Sequence, residues 1–348
     1  MGKPRRTKSD HLLACFPPEA EVVVLTHHNP DPDGLASQLA LAKLLSAKRN
    51  VRPTLGVSGI VRRAENVRMI DLCEISLVPA SDIPWHDRTL SILVDTKPGA
   101  GNNALPPERQ ATAVIDHHAS PARTGRVTFR DIRKDVGATA TVLGQYLEEQ
   151  EIPPDALLAT ALVYAIETET WRPGVVSSAA DTRQFTRLYP LADVAKLAEI
   201  RNAHLPQAYF ESFLLALRDS FIYDDVIFSL LPSVEQPDIV AEIADFLMRF
   251  QRVAWVFVFA LHDRTLTLSG RTTGPGNVGK LLRKAVGTLG SAGGHETFAG
   301  AHIPLATGSQ KELETVTNRL RSRILRALHI RKERGERLVA RKDIIAKI

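Results

Sequence analysis

The stretch THHNPDPDGLAS at residues 26–37 concentrates side chains that bind metal ions. One imidazole, His27, precedes two carboxylates, Asp31 and Asp33, and prolines next to them stiffen the backbone. Burying such groups unpaired is costly, and a bound cation offsets that cost. Imidazole and carboxylate ligands suit Mn²⁺ or a similar ion, while backbone N–H groups at a following helix N-terminus would suit an anion. The alternative is a Pro/Asp turn that caps a helix.

Two further stretches, LVDTKPG and VIDHHAS, supply more groups of the same kind. The first contains Asp95, and the second contains Asp116, His117 and His118, a notable pair in a chain with 11 histidines among 348 residues. Asp95 is suited to bridge two ions. His117 is suited to ligate directly, and Asp116 to fix the tautomer and orientation of an imidazole. The alternative is a pair of core histidines that the backbone satisfies.

Short apolar runs precede these polar residues and predict the elements that position them. The runs cover residues 21–26, 90–94 and 111–115 and are rich in Val and Ile. Continuous apolar runs of this length are typical of strands buried in a parallel sheet, and residues 35–48 between two of them have helical periodicity. Strand–helix alternation predicts an α/β domain whose ligands bind at the carboxyl ends of the strands. The polar residues should therefore meet on one edge of the sheet.

The remainder of the chain predicts further helices and a second, smaller α/β domain. Helices are expected at 136–150 and 155–166, and a Pro-Gly turn at 173–174; residues 191–218 look helical. Strands are expected within 221–231 and at 253–261, followed by the return strand of a hairpin, and a helix at 277–289 precedes the glycine-rich GSAGGHETFAGAHI. Residues 311–330 form an amphipathic helix with a basic outer face. That face is expected to be solvated, the alternative being a contact with nucleic acid or a partner.

Composition and charge restrict the function classes. The chain is 44% hydrophobic and 24% charged, with a net charge of +5, but residues 1–9 carry +4 and residues 311–348 carry +7, so residues 10–310 carry −6. This acidic body argues against a broad nucleic-acid-binding face. No apolar stretch approaches the roughly 20 residues of a membrane span, and the N-terminal LLACF is too short for a signal-peptide core, so we expect a cytoplasmic protein. The two cysteines, Cys15 and Cys73, are expected to be reduced and inert.

In order and spacing, four motifs of this chain resemble those of the DHH phosphoesterase family. They are HHNPDPDGLAS, LVDTKPG, VIDHHAS and AIETETW, and the later SGRTTG and GGHETFAGAHI resemble the DHH-associated domain of nanoRNase/pAp-phosphatase-type and RecJ-type members. The resemblance implies an N-terminal parallel-sheet domain with helices on both faces. It suggests a DHH catalytic domain at 1–200, a helical connector at 201–220, a DHH-associated substrate-binding domain at 221–330 and a basic tail at 331–348.

The resemblance also implies a centre of two ions, usually Mn²⁺, with Mg²⁺ or Co²⁺ as substitutes. One ion would be held by His27, Asp31 and Asp95, and the other by Asp33, Asp95, His117 and the acidic residue of the fourth motif. Asp95 would bridge, His118 would contact the substrate phosphate, and Asp116 would support the histidines. In the fourth motif the usual aspartate is replaced by Glu169, which is one methylene longer, and Glu167 is a lesser candidate.

The C-terminal motifs add candidate substrate-binding residues. Arg271 is suited to bidentate recognition of a phosphate. Gly293 and Gly294 are expected to form a loop whose N–H groups cradle a phosphate or ribose, with His295 reaching the ligand. Ala292 stands where relatives usually have a third glycine.

Together these features predict a manganese-dependent phosphoesterase that hydrolyses very short oligonucleotides or small nucleotides, such as pApA or pAp, by metal-activated hydroxide. The alternatives are a single-strand-specific RecJ-like exonuclease and a catalytically weakened nucleotide-binding regulator. The expected partners are these nucleotides; the sequence indicates no membrane and no protein partner, and it is compatible with a homodimer.

Overall fold

A computed structural model describes residues 6–118, 126–171, 177–332 and 334–339. The chain divides into two compact units, residues 1–204 and 205–348. Each unit is built around its own sheet. The α/β class, the parallel sheet of the N-terminal unit and the smaller second α/β unit are thereby confirmed.

The first unit contains a six-stranded parallel sheet in the order β3-β2-β1-β4-β5-β6. Its strands are β1 (Val22–Leu25), β2 (Thr54–Val57), β3 (Val78–Pro79), β4 (Leu90–Val94), β5 (Ala113–Asp116) and β6 (Phe129–Ile132). Its helices are α1 (Lys8–Leu13), α2 (Pro32–Arg49), α3 (Ala64–Leu72), α4 (Thr139–Glu149), α5 (Ala156–Thr170), α6 (Ala179–Leu188) and α7 (Val194–Arg201). The strand order reverses beside β1, which is where such sheets bind ligands.

Alternate side chains of the strands enter cores on opposite faces of this sheet. Val24 and Ile92 join a large core to which all seven helices contribute. Leu25 and Leu93 join a smaller core on the other face. Among the described residues, the other members of this core, such as Ile83, also lie outside α-helices. Helices were expected on both faces. The difference arises because the described parts of the connections from β3 to β6 contain no α-helix.

The second unit contains a seven-stranded mixed sheet in the order β11-β12-β10-β9-β8-β7-β13. Only the β8–β9 pair is parallel within this described sheet. The strands are β7 (Ser220–Tyr223), β8 (Val226–Leu231), β9 (Trp255–His262), β10 (Thr265–Thr272), β11 (Ser291–Gly294), β12 (Phe298–Pro304) and β13 (Glu336–Arg337). The helices are α8 (Gln207–Arg218), α9 (Ile239–Leu247), α10 (Val278–Val286) and α11 (Gln310–Ala327); α8 and α9 share one core, and α10 and α11 the other.

Several element boundaries differ from the sequence predictions. The helix predicted at 155–166 continues as α5 to Thr170, so the helix includes all of the fourth motif except Trp171, its C-cap. The helical stretch 191–218 divides into α7 and α8, and residues 221–231 divide into the hairpin strands β7 and β8. The Pro-Gly turn predicted at 173–174 and the final residues 340–348 lie outside the described residues.

Candidate metal centre

The polar residues that follow β1, β4 and β5 meet at one edge of the first sheet. His27 lies just past β1, Asp95 directly follows β4, and Asp116 is the last residue of β5. Because β4 pairs with both β1 and β5, the carboxyl ends of the three strands are adjacent. The convergence expected from the sequence is therefore present in the structure.

Asp95 lies between two groups of possible metal ligands. Its Oδ2 is 3.3 Å from His27 Nε2, and its Oδ1 is 3.5 Å from His117 Nε2. Among the described residues, two groups of three have ligand atoms, one from each residue, that all lie within 4.8 Å of one another. The groups are His27, Asp31 and Asp95, and Asp95, His117 and His118, so Asp95 belongs to both. The buried Asp95 also has a φ of +56°, an uncommon left-handed conformation for a non-glycine residue. Its two carboxylate oxygens thus face two different imidazoles.

His27 is oriented by its own backbone. Its Nδ1 donates to the carbonyl oxygen of His28 at 2.9 Å, which directs Nε2 toward the carboxylates of Asp31 and Asp95. Burial alone would lower the pKa of His27, but hydrogen bonds to these two carboxylates raise it well above its ordinary value. A backbone acceptor that sets the orientation of a ring in this way is typical of metal-binding histidines.

The carboxylates of the first motif are held by two helix N-termini. Asp31 is the N-cap of α2, where its Oδ1 accepts from the N–H groups of Asp33 and Gly34. The fully buried Asp33 accepts from the N–H groups of Thr139 and Ala140 at the start of α4, both at 2.7 Å.

Burial raises the pKa of Asp33 well above its ordinary value, and the neighbouring carboxylates of Asp95, Asp31 and Glu169 raise it further. So many anions brought together in a buried site favour a bound cation, because a cation offsets both their repulsion and their desolvation.

The two consecutive histidines differ in their environments. His117 Nε2 is 3.8 Å from Asp33 Oδ2, and burial lowers the pKa of this ring. Burial would also lower the pKa of His118, but hydrogen bonding to Asp116 raises it to about 9. His117 therefore favours the neutral form that ligates metals, and His118 the cationic form that attracts phosphate.

A buried lysine, Lys97, fixes the loop that carries these histidines. Its Nζ donates to Asp116 Oδ2 at 2.9 Å and to the carbonyl oxygen of His118 at 2.6 Å. Asp116 Oδ1 accepts from both the N–H and the Nδ1 of His118, at 3.1 and 2.8 Å. Burial would raise the pKa of Asp116, but these hydrogen bonds hold it well below its ordinary value.

The two glutamates of the fourth motif have different surroundings. Glu167 forms an ion pair with Arg201 of α7. The carboxylate of Glu169 lies close enough to Asp33 to raise the pKa of that buried acid. Glu167 and Glu169 are two positions apart in the helix, a rotation of about 200°, so their side chains point to nearly opposite sides. The structure thus brings Glu169 rather than Glu167 near the candidate centre.

Three supporting residues were missed by the sequence analysis. Lys97 stands inside a quoted motif, and a lysine two positions after a candidate ligand is the signal that could have found it. Thr139 donates through Oγ1 to Asp95 Oδ1 at 3.1 Å. Asp181 at the start of α6 accepts from the N–H of Gly137 and from the hydroxyl of Thr141, which fixes the entry to α4. The sequence gives no local signal for the last two residues because their partners are distant along the chain.

In the second unit, the candidate substrate residues lie on strands and a turn. Arg271 in β10 forms an ion pair with Asp245 of α9 and donates to Ser269 Oγ. The expected glycine loop is instead the end of β11, an edge strand in which Gly293 and Gly294 pair with β12. The exposed His295 follows, with its ring 4.7 Å from that of Phe298.

Gly293 and Gly294 were expected to form a loop that cradles phosphate, because glycine pairs favour turns. In the structure, their backbones instead pair with the neighbouring strand β12. Gly294 has a φ of +142°, and a Cβ there would lie 2.4 Å from Ala299 Cα, so only glycine fits.

Two family models match parts of this chain. Residues 21–166 match the DHH family, N-terminal domain, and residues 221–324 match the DHHA1 domain. An uncharacterized protein of Methanocaldococcus jannaschii is 32% identical over 323 residues, which cover 90% of this chain and 66% of that protein. The chain thus spans about two thirds of the length of the curated relative it matches.

A solved structure, that of an exopolyphosphatase-related protein from Bacteroides fragilis, is also similar. It has a TM-score of 0.71 and 14% identity, and the match covers 91% of this chain and 96% of the other. At that identity the likeness shows the shared fold alone.

Among the described residues, no helix has both the length and the hydropathy that crossing a bilayer requires.

Proposed function

Because the chain belongs to the DHH family and carries a DHHA1 domain, we propose that it is a metal-dependent phosphoesterase that hydrolyses very short oligonucleotides or small nucleotides. The observation that carries the proposal is the position of Asp95, which belongs to both groups of candidate ligands and directs one carboxylate oxygen toward each. A shared carboxylate is what a centre of two ions needs.

The donor set fits divalent cations that accept oxygen and imidazole ligands, and Mn²⁺ is the proposed ion. One ion would be held by His27, Asp31 and Asp95. The second would be held by Asp33, Asp95, His117 and Glu169, so Asp95 would be shared by both ions. When bound, the ions would activate a water molecule and polarise the phosphoryl group.

The protein's own contribution to the reaction would come from the loop after β5. A cationic His118 would contact the substrate phosphate and stabilise the charge that develops on it. Asp116 and Lys97 would hold the imidazole in place, since both are bonded to His118 and buried. In the second unit, the residues proposed to bind substrate are Arg271, Gly293, Gly294 and His295.

Small substrates are favoured by the charge distribution. Residues 10–310 carry a net −6, so the body offers little attraction to a long polyanion. Two specific groups, the cationic His118 and the Arg271 guanidinium, are suited to individual phosphates instead.

The proposal is tested by hydrolysis of RNA dimers to pentamers, pApA and pAp with and without Mn²⁺. We expect turnover that depends on Mn²⁺ and is abolished in Asp95→Ala, together with weaker Mn²⁺ binding by calorimetry. Absence of turnover on the whole panel, or unchanged activity in Asp95→Ala, would contradict the proposal. Tight nucleotide binding without turnover would favour the regulator instead.

Glu169 can be tested against a matched control in the same helix. Glu169→Asp should keep activity and Glu169→Gln should weaken Mn²⁺ binding, because the carboxylate is the proposed ligand. Glu167→Gln removes a carboxylate two positions away that pairs with Arg201, and it should leave Mn²⁺ binding unchanged. Equal effects of the two Gln variants would remove Glu169 from the ligand set.

A further inference from the structure

Two glycines face each other across the strands β11 and β12 of the second sheet. They are Gly293 and Gly300, and neither has the positive φ that Gly294 has. A Cβ at Gly293 would meet no heavy atom of the described residues within 4 Å beyond its chain neighbours, and one at Gly300 only the carbonyl oxygen of Leu268, at an ordinary 3.7 Å. Neither backbone conformation nor lack of space therefore explains the pair. Since glycine weakens a strand, its presence here indicates that a ligand approaches the backbone closely.

Strand alternation determines which side chains border this glycine patch. Ala299 and Ala301 of β12 enter the core that α10 and α11 share. Phe298, Gly300 and His302 consequently lie on the opposite face of the sheet. The ring of Phe298 is partly exposed and His302 is exposed. Four strand residues span about 13 Å, so the glycine between the two rings leaves a gap that is wide enough for a planar ring.

Phe298 connects the patch to two candidate substrate residues. Arg271 lies directly opposite it in β10, with the guanidinium carbon 6.0 Å from the centroid of the phenyl ring. The ring of His295 lies 4.7 Å from the same phenyl ring, centroid to centroid. Phe298 is therefore the central member of a cluster to which Arg271 and His295 both belong.

The charge of this cluster is largely compensated. Arg271 donates through Nε and Nη2 to the two carboxylate oxygens of Asp245, and through Nη1 to Ser269 Oγ at 2.8 Å. A phosphate at Arg271 would have to share the guanidinium with this carboxylate. An uncharged planar group needs no free charge and would find an aromatic ring and flat backbone beside it.

We propose that the glycine patch bounded by Phe298 and His302 is a subsite for a nucleobase, which would stack on Phe298 and lie over Gly293 and Gly300. The inference rests on the proposed function and names the part of the substrate that the second unit recognises. Aromatic side chains stack on any base, so the subsite would distinguish nucleotides from phosphate compounds without a base and would discriminate little among bases.

The test compares binding of a nucleoside 5′-monophosphate with binding of ribose 5-phosphate, by calorimetry in metal-free buffer. Phe298→Leu keeps an apolar side chain but removes the ring. It should weaken mononucleotide binding by the roughly 5- to 150-fold that base–aromatic stacking contributes, and leave ribose 5-phosphate binding unchanged within twofold. Phe298→Tyr keeps a ring and should lose less. Phe250→Leu removes another partly exposed ring of the same unit and is the control.

A second variant tests the floor of the subsite. The space above Gly300 accommodates a Cβ, and valine is favoured in strands, so Gly300→Val should not lower the melting temperature. Its side chain would occupy the place of the base, and mononucleotide binding should therefore fall at least as far as in Phe298→Leu.

Equal weakening for the two ligands in Phe298→Leu, or mononucleotide binding that survives in both variants, would overturn the inference. So would the absence of mononucleotide binding by the wild type. Because this readout needs neither metal nor turnover, it separates the subsite from the proposed function. Base-dependent binding that is lost in both variants supports the subsite even if no substrate is hydrolysed. Hydrolysis of RNA dimers by a wild type that binds both ligands equally would refute the subsite and leave the phosphoesterase standing.

Discussion

Replacing Lys97 with methionine tests whether a buried ammonium group holds the histidine loop in place. Lys97 is 3% exposed and Asp116 is fully buried, with 2.9 Å between Nζ and Oδ2. The same Nζ donates to the carbonyl oxygen of His118. Methionine has a similar length and shape but no charge and no donor, so the substitution removes both hydrogen bonds while leaving most of the volume filled.

The expected loss of stability follows from the burial of the pair. Removing one partner of a buried ion pair costs about 3–5 kcal/mol because the other charge is left uncompensated. Asp116 keeps its two hydrogen bonds to His118, so the lower end of that range applies. For a unit of this size, about 3 kcal/mol corresponds to a melting temperature lower by roughly 6–12 °C.

Lys43 provides the matched control. It pairs with Asp155 at 3.0 Å, almost the same distance, but the two side chains are 40% and 57% exposed. Exposed pairs contribute about 0.2–1 kcal/mol, so Lys43→Met should lower the melting temperature by less than roughly 4 °C. Thermal unfolding of both variants, followed by circular dichroism, makes the comparison.

Activity gives a second readout for the same variant. Because Lys97 bonds to the carbonyl oxygen of His118, the proposed phosphate contact, its loss should lower kcat by roughly 10- to 100-fold, the effect expected of a residue that supports a metal site. Mn²⁺ affinity should change less. Equal melting temperatures of Lys97→Met and Lys43→Met would refute the reasoning. So would additive effects in Lys97→Met/Asp116→Asn, since residues that contact each other should not behave independently.

Three further predictions concern the first unit. Burial and a neighbouring carboxylate raise the pKa of Tyr146 above its ordinary value of 10.0, so its stabilising effect is present below about pH 10 and is lost as the pH rises further. The difference in unfolding free energy between the wild type and Tyr146→Phe should therefore shrink above that pH. A Cβ at Gly34 would lie 2.4 Å from Thr26 Oγ1, so Gly34→Ala should destabilise the unit by about 1–3 kcal/mol, and adding Thr26→Ala should recover most of the loss. Burial raises the pKa of the Cys73 thiol to about 11, so Ellman's reagent should label Cys15 first, and Cys73 only after unfolding in urea.

Each of these predictions has an outcome that contradicts it. Parallel pH profiles for the wild type and Tyr146→Phe would show that the phenol has the same pKa in the folded and unfolded chains. A double variant as unstable as Gly34→Ala alone would place the steric conflict elsewhere than at Thr26. Two thiols that react equally fast in the native protein would mean that Cys73 is accessible.

The sequence predicted correctly that candidate ligands which follow strands lie close together. His27, Asp95 and His117 each come just after an apolar run, and the rule that parallel strands share a carboxyl edge was enough to bring them together. Helix bounds were less predictable. The helix that carries Glu169 was expected to end at 166 but extends to Thr170, because its last turn stays partly buried although its residues are polar.

The roles of supporting groups could not be predicted in the same way. Thr139 and Ala140 hold Asp33 across more than 100 positions of sequence, and no local pattern encodes such a pairing. The Gly293–Gly294 pair was expected to be a loop but lies in an edge strand. Whether these residues form a loop or a strand depended on β12, which lies beside them. The lack of helices among the described residues of the second sheet face likewise followed from topology and not from periodicity.

The sequence by itself determined which residue types reach the edge of the sheet, because strand periodicity and the placement of acids and imidazoles are local properties. Only the tertiary structure decided which neighbours each of those residues has. It placed Asp95 between two groups of candidate ligands, buried Lys97 against Asp116, and put the two histidines in environments that shift their pKa values in opposite directions. The physical reason is that burial and hydrogen bonding act through neighbours in space, and those neighbours come from distant parts of the chain.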